Sequence, residues 1–102
     1  MFLAMNRFKV AKGKEVAFET LWRERDSHLE GVPGFKAFRM MKGQAKDDHV
    51  LYASHSVWES EEAFRNWTRS EAFRMAHKGA GGHGNLYLGP PELELFDAVE
   101  GI

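Results

Sequence analysis

Three residues stand out by type and place: Asn6 inside an apolar stretch, Trp67 inside a charged one, and His77 immediately ahead of a run of glycines. Asn6 alternates with Phe2, Ala4, Phe8 and Val10, and asparagine is depleted in strands. A carboxamide in that company needs partners, because an unpaired buried amide costs about 1–3 kcal/mol. Either nearby backbone at a strand end satisfies it, or it is an oriented donor facing a ligand. His77 lies one helical turn after Phe73 at the end of its helix. It is either a partner for the negative end of the helix dipole or a neutral imidazole on a rigid helix, suited to act as a metal ligand or a base. Trp67 shares helical spacing with Phe64, which is the pattern of core packing.

The remaining chemistry-bearing residues say less. The chain has no cysteine, so thiolate metal sites and disulfides are excluded and any metal must use His, carboxylate or Tyr. His28, His49 and His55 read as solvated or packing residues. His83 sits in the glycine-rich run, where it is either brought over a site or merely solvated. The stretch Gly79-Ala80-Gly81-Gly82-His83-Gly84 follows a helix and precedes no helix start, which makes it a poor phosphate loop. No nucleophile–base spacing and no His-Glu-x-x-His motif occurs, so hydrolase chemistry has no support.

The elements that must position these residues follow from periodicity. Residues 1–10 alternate as a strand whose two faces both begin apolar. After a break at residues 11–14, Val16, Phe18, Leu21, Trp22 and Leu29 recur at helical spacing, predicting an amphipathic helix of about four turns that ends near Gly31-Val32-Pro33-Gly34. Residues 35–42 and 49–58 read as a hairpin around a polar turn at 43–48. Ser60 with Glu61 and Glu62 opens a short helix over 60–68, and Ser70 with Glu71 opens a second over 70–78. Residues 79–91 read as a loop, and 92–99 as a final strand. The order β-α-β-β-α-β predicts a single α+β domain over residues 1–102 with a ferredoxin-like antiparallel sheet. Helices cover one face of that sheet, and the other is left for a second copy of the chain.

Composition limits the function. With 102 residues, 43% hydrophobic and 28% charged, the sequence is that of an ordinary folded domain. Its formal net charge of -1 gives no bulk electrostatic drive toward nucleic acid or an anionic membrane. The apolar start, cut off by Asn6 and Arg7, is too short for a secretory leader core or a membrane span, so a cytoplasmic location is expected. A domain of this length buries only roughly two-thirds of its unfolded surface, so a homodimer interface is an expected source of further stability.

Together these residues resemble the antibiotic-biosynthesis-monooxygenase superfamily of dimeric α+β barrels, and within it the haem-degrading monooxygenases of the bacterial IsdG type. The similarity covers nearly the whole chain. It runs through Asn6, Lys12-Gly13, Gly34-Phe35, Val57-Trp58-Glu59-Ser60, Ala63-Phe64, Trp67, Phe73 and Ala76-His77-Lys78. The stretch from Trp58 to Phe64 is shared widely in the superfamily, whereas the trio Asn6, Trp67 and His77 is specific to haem. The resemblance implies that His77 is the axial ligand of haem iron. It makes Asn6 the distal hydrogen-bonding group toward bound water or dioxygen, and Trp67 the wedge that ruffles the porphyrin. Axial ligand, distal hydrogen bond and macrocycle distortion are the protein's levers on haem. The implied activity is a haem oxygenase that opens the ring with O2 and an external electron donor, supplied by an unidentified reductase or small reductant, and releases iron. Arg25 is placed first, ahead of Arg7 and Arg23, as a partner for the haem propionates. Two alternatives belong to other classes: a cofactor-independent quinol or polyketide monooxygenase of the same fold, and a non-catalytic haem-binding protein.

Overall fold

The alternation of the first ten residues produces a central strand. In the computed structural model, which describes residues 1–25, 28–70, 73–74 and 85–102, β1 spans Phe2–Ala11. Phe2, Ala4, Phe8 and Val10 are buried on one side of it, while Leu3 and Met5 face the other. Gly13, at φ +87°, turns the chain into α1, Glu15–Glu24. This helix inserts Phe18, fully buried, against Tyr52 and Phe8 at ring separations of 4.5 and 5.6 Å.

The helix α1 is shorter than the periodicity predicts. Arg25 is already extended, at φ -77° and ψ 130°, yet Leu29 is buried. The spacing of Trp22 and Leu29 fits one helical stripe, but the two side chains serve different parts of the core. Trp22 packs beside Phe8 and Phe18, and Leu29 joins Phe2, Trp58 and Phe64. Leaving the helix at Arg25 lets the connection carry Leu29 to that second group.

The hairpin consists of β2, Phe35–Ala45, and β3, His49–Trp58, closed by a bond from Lys46 N to His49 O at 2.7 Å. β2 runs past its expected end, through a register shift between Lys42 and Ala45, with exposed residues that could not be told from turn by composition. α2, Glu61–Thr68, starts where Ser60 Oγ accepts the amide of Ala63 at 3.1 Å. The second start signal is also used: Ser70 Oγ accepts the amide of Phe73 at 3.1 Å. The remainder of the helix expected over 70–78, including His77, lies outside the described residues, as does His83.

The stretch expected to be loop through residue 91 is pinned at its described end. Leu86 is buried, Tyr87 forms a bridge with Val10, and Leu88 N donates to Lys9 O at 3.0 Å. The last strand, β4, is Glu92–Asp97, two residues shorter than expected because its partner β1 runs out where Phe2 pairs with Asp97. The sheet order is β2-β3-β1-β4, antiparallel throughout, which gives the ferredoxin-like β-α-β-β-α-β arrangement. Both helices pack on the side of Phe2 and Phe8. The opposite side presents Leu3, Met5, Leu51, Ala53, Val57 and Phe96, the last 45% exposed. No described helix is long and apolar enough to cross a membrane.

One close approach fixes how α2 meets the hairpin. Gly34 has φ +82°, accepts the Glu59 amide on its carbonyl at 2.8 Å, and stands where an added Cβ would be 2.4 Å from Ala63 Cβ. Gly31, at φ +79°, has open space around it. Alanine at either position meets the left-handed cost of roughly 1–2 kcal/mol. Only Gly34→Ala adds overpacking of about 1–3 kcal/mol. Urea denaturation is therefore expected to show Gly34→Ala as clearly the more destabilised variant, and equal midpoints would contradict the close packing at Ala63.

Candidate functional site

At the centre of the helix-facing sheet the side chains become small. The register pairs Ala4 with Ser56 and Asn6 with Ser54. Large side chains lie on either side of this patch, so the core divides into two clusters. Phe2, Leu29, Trp58 and Phe64 make one, and Phe8, Val10, Phe18, Val50 and Tyr52 make the other. A cavity of ≈ 180 Å³ is left between them. Trp22 near the end of α1 and Trp67 near the end of α2 line it, together with Phe38, Phe73 and Leu93.

Asn6 stands on the cavity floor in mid-strand, and its carboxamide makes no hydrogen bond within the described residues. Nearby backbone does not consume it, so its donors and acceptor remain available to whatever enters. Trp67 is both core and wall. Its ring is 5.4 Å from Trp58 and 4.8 Å from Phe73, the latter edge-on at 84°. Such a stack leaves the indole little freedom to swing away from the cavity.

The three arginines separate cleanly. Arg7 lies on the far side of the sheet, paired with Glu94. Arg23 is an exposed partner of Glu19 at 3.3 Å. Arg25 lines the cavity with its guanidinium stacked over the Trp22 ring, 4.4 Å from the centroid. Burial pulls its pKa down, partly offset by the nearby Tyr87, but an arginine stays protonated at any physiological pH. It is the one charged side chain among the described residues of the lining. Burial also pushes the Tyr87 phenol up, so that group is a neutral neighbour.

His77 lies outside the described residues. The described histidines stand apart from the cavity: His49 pairs with Asp48 at 2.6 Å, His55 is on the far sheet face opposite Met5, and His28 lines a separate outer groove. That groove is bordered by Glu30, Glu59 and Glu62, all exposed. Among the described residues no cluster of three or more His, Asp or Glu could hold a metal ion.

Trp22, Phe38, Ser54 and Ser56 also line the cavity, although their residue types alone do not mark them as site residues. A signal for the serines was present: in β3 the inward positions run Val50, Tyr52, Ser54, Ser56, Trp58, and two small residues between large ones mark a gap in packing.

A four-stranded antiparallel sheet under two helices, with a central aromatic-walled cavity, is the architecture of an α+β monooxygenase domain. Residues 1–79 match the antibiotic biosynthesis monooxygenase family, and the chain belongs to it. Among its relatives is a heme oxygenase (staphylobilin-producing) of Staphylococcus epidermidis, 35% identical over 83 residues, covering 79% of this chain and 77% of that protein. The heme-degrader MhuD of Mycobacterium tuberculosis, solved with two hemes bound in its active site, superposes with a TM-score of 0.73 at 26% identity, covering 100% of this chain and 99% of that one. SnoaB, a cofactor-independent oxygenase of Streptomyces nogalater, shares the fold at a TM-score of 0.67 and 24% identity, over 95% of this chain and 91% of that one.

The geometry at Asn6 makes a stability prediction. A carboxamide needed for folding would cost about 1–3 kcal/mol when replaced by an apolar group. One kept only for a ligand would cost nothing, and filling the gap between two apolar clusters should help. Asn6→Leu is therefore expected to leave the urea midpoint unchanged or raise stability by up to ~1 kcal/mol.

Proposed function

We propose that this chain is a haem-degrading monooxygenase: it binds haem, cleaves the porphyrin ring with O2 and electrons from an external donor, and releases the iron. The observation that carries this reading is the cavity itself. It has flat aromatic walls, one free carboxamide on its floor and one arginine at its edge. Those are the groups a porphyrin needs: apolar surface for the macrocycle, a cation for a propionate, and a hydrogen-bonding group beside the reacting centre. The kinship with a heme oxygenase and a heme-degrader supports it.

Bound haem is the substrate and supplies the redox centre that activates O2. The chain's own residues bind and orient. Arg25, held against Trp22, pairs with a propionate carboxylate. Trp67, braced by Trp58 and Phe73, presses on the porphyrin plane and ruffles it. Asn6 hydrogen-bonds on the distal side. His77 is the axial ligand of the iron, a role that rests on the family resemblance. The enclosed ≈ 180 Å³ is below the roughly 300–1,000 Å³ of pockets for drug-sized ligands, so the macrocycle extends through the cavity mouth.

That volume also supports a second reading, a cofactor-independent oxidation of a small quinol or polyketide, in which Asn6 and Trp67 orient one aromatic ring. Under either reading the protein acts as a single cytoplasmic domain and pairs with a second copy through the uncovered sheet face. Under the haem reading a small reductant or an unidentified reductase delivers the electrons. Nucleic acid and membrane have no part.

Titration of the protein with haemin is expected to give a saturable Soret band that decays under ascorbate and air with release of ferrous iron. His77→Ala should abolish or severely weaken the band. Arg25→Leu should weaken haemin binding by about tenfold. Trp67→Phe and Asn6→Ala should bind haemin but turn over more slowly, Asn6→Ala by about 10- to 100-fold. A band that persists under reductant would mean carriage. No band, with metal-free oxidation of a hydroquinone, would favour the second reading. In sedimentation the protein should run as a dimer, and Val57→Glu, which places a charge on the uncovered face, should shift it to monomer.

A further inference from the structure

The two serines on the cavity floor are not equivalent. Ser56 Oγ is fully engaged: it donates to the Ala4 carbonyl at 3.2 Å and accepts the Trp58 indole N–H at 3.0 Å. Its work is structural, because it ties the largest core side chain to β1. Ser54 is only 7% exposed, and it is the one buried polar residue of the described chain. It lines the cavity, yet its hydroxyl makes no hydrogen bond within the described residues. The hydroxyl opens into the cavity and is left for whatever fills it. What the hydroxyl faces is the cavity, and beside it across the ladder is Asn6. Side chains directly opposite in antiparallel strands have Cβ atoms about 4.5–5.5 Å apart. That spacing lets two polar groups reach one small ligand placed above them, even though they do not bond each other.

We infer that Ser54 is a second hydrogen-bonding group of the site, acting with Asn6 on one small ligand such as water, dioxygen or an anion held above the Asn6–Ser54 pair. The inference rests on the haem reading, since haem iron is what presents such a ligand there. Ser54 supplies a rotatable O–H donor, and Asn6 supplies an amide donor fixed by its strand. The pair therefore recognises an acceptor atom from two directions, which orients it more strictly than either group alone.

The test uses the full chain loaded with ferric haemin and titrated with fluoride, which binds ferric haem, accepts hydrogen bonds and donates none. Ser54→Ala should keep the wild-type Soret band and thermal midpoint but raise the fluoride Kd about three- to tenfold. Ser54→Thr, which restores the hydroxyl, should recover fluoride affinity. If Ser54→Ala has the wild-type Soret band and the wild-type fluoride Kd, this inference is overturned while the haem reading stands. A lowered thermal midpoint in Ser54→Ala would overturn it in favour of a packing role. If wild-type protein gives no Soret band at all, both readings fall together.

Discussion

The register between β1 and β3 is the constraint on which the site depends. Side chains alternate with a period of two, so a slip by one residue would swing Asn6 and Ser54 to the far face and bring Met5 and His55 toward the helices. The register is held at both ends by large pairs, Phe2 with Trp58 and Phe8 with Tyr52. Each pair also seats a helix: Phe64 of α2 lies 5.7 Å from Phe2, and Phe18 of α1 lies 4.5 Å from Tyr52. The two helices are thus anchored at opposite ends of the central strands. The small residues between the anchors cannot fill the space that the helices leave.

The rigidity of the cavity comes from a chain of support in one of the two clusters. Ser56 fixes the Trp58 indole, Trp58 backs Trp67, and Phe73 meets Trp67 edge-on. Trp58 is completely buried and also touches Phe35 and Phe64 at 5.5 and 5.8 Å. Close-packed aromatic contacts on several sides make that wall stiff. On the other wall, Trp22 stacks on Phe38 at 17° and carries Arg25 on its face.

Much of the fold was legible because its signals are local. The alternation of β1, the second hairpin strand, and the Ser60 cap with its acidic first turn each depend on a few neighbouring residues, and each lies where the sequence places it. The misjudged boundaries are those set by distant packing. Leu29 carries a helical spacing but is drawn from the helix by a cluster that forms only when α2 docks. Leu86 and Tyr87 lie next to a glycine-rich run that reads as loop, yet they insert beside Phe8 and Val10. The site shows the same division. Asn6 was conspicuous because one strand's pattern breaks there. Ser54 became visible only when the register set it beside Asn6, since a serine in a strand attracts no notice by itself.

Charge decides what kind of molecule this cavity accepts. Among its described lining residues Arg25 is the only charged side chain. The outer groove beyond Trp67 is the reverse, bordered by Glu30, Glu59 and Glu62. Desolvation weakens the hold of an arginine on its proton but never enough to remove the charge. Its effect is instead to strengthen attraction for an incoming anion, because less water screens the pair. A flat apolar ligand bearing a carboxylate at one edge satisfies both walls and the arginine at once. Under the proposed haem reading, the stacked Trp22–Arg25 pair adds a term for an anionic ligand over an uncharged one that cavity volume does not contain.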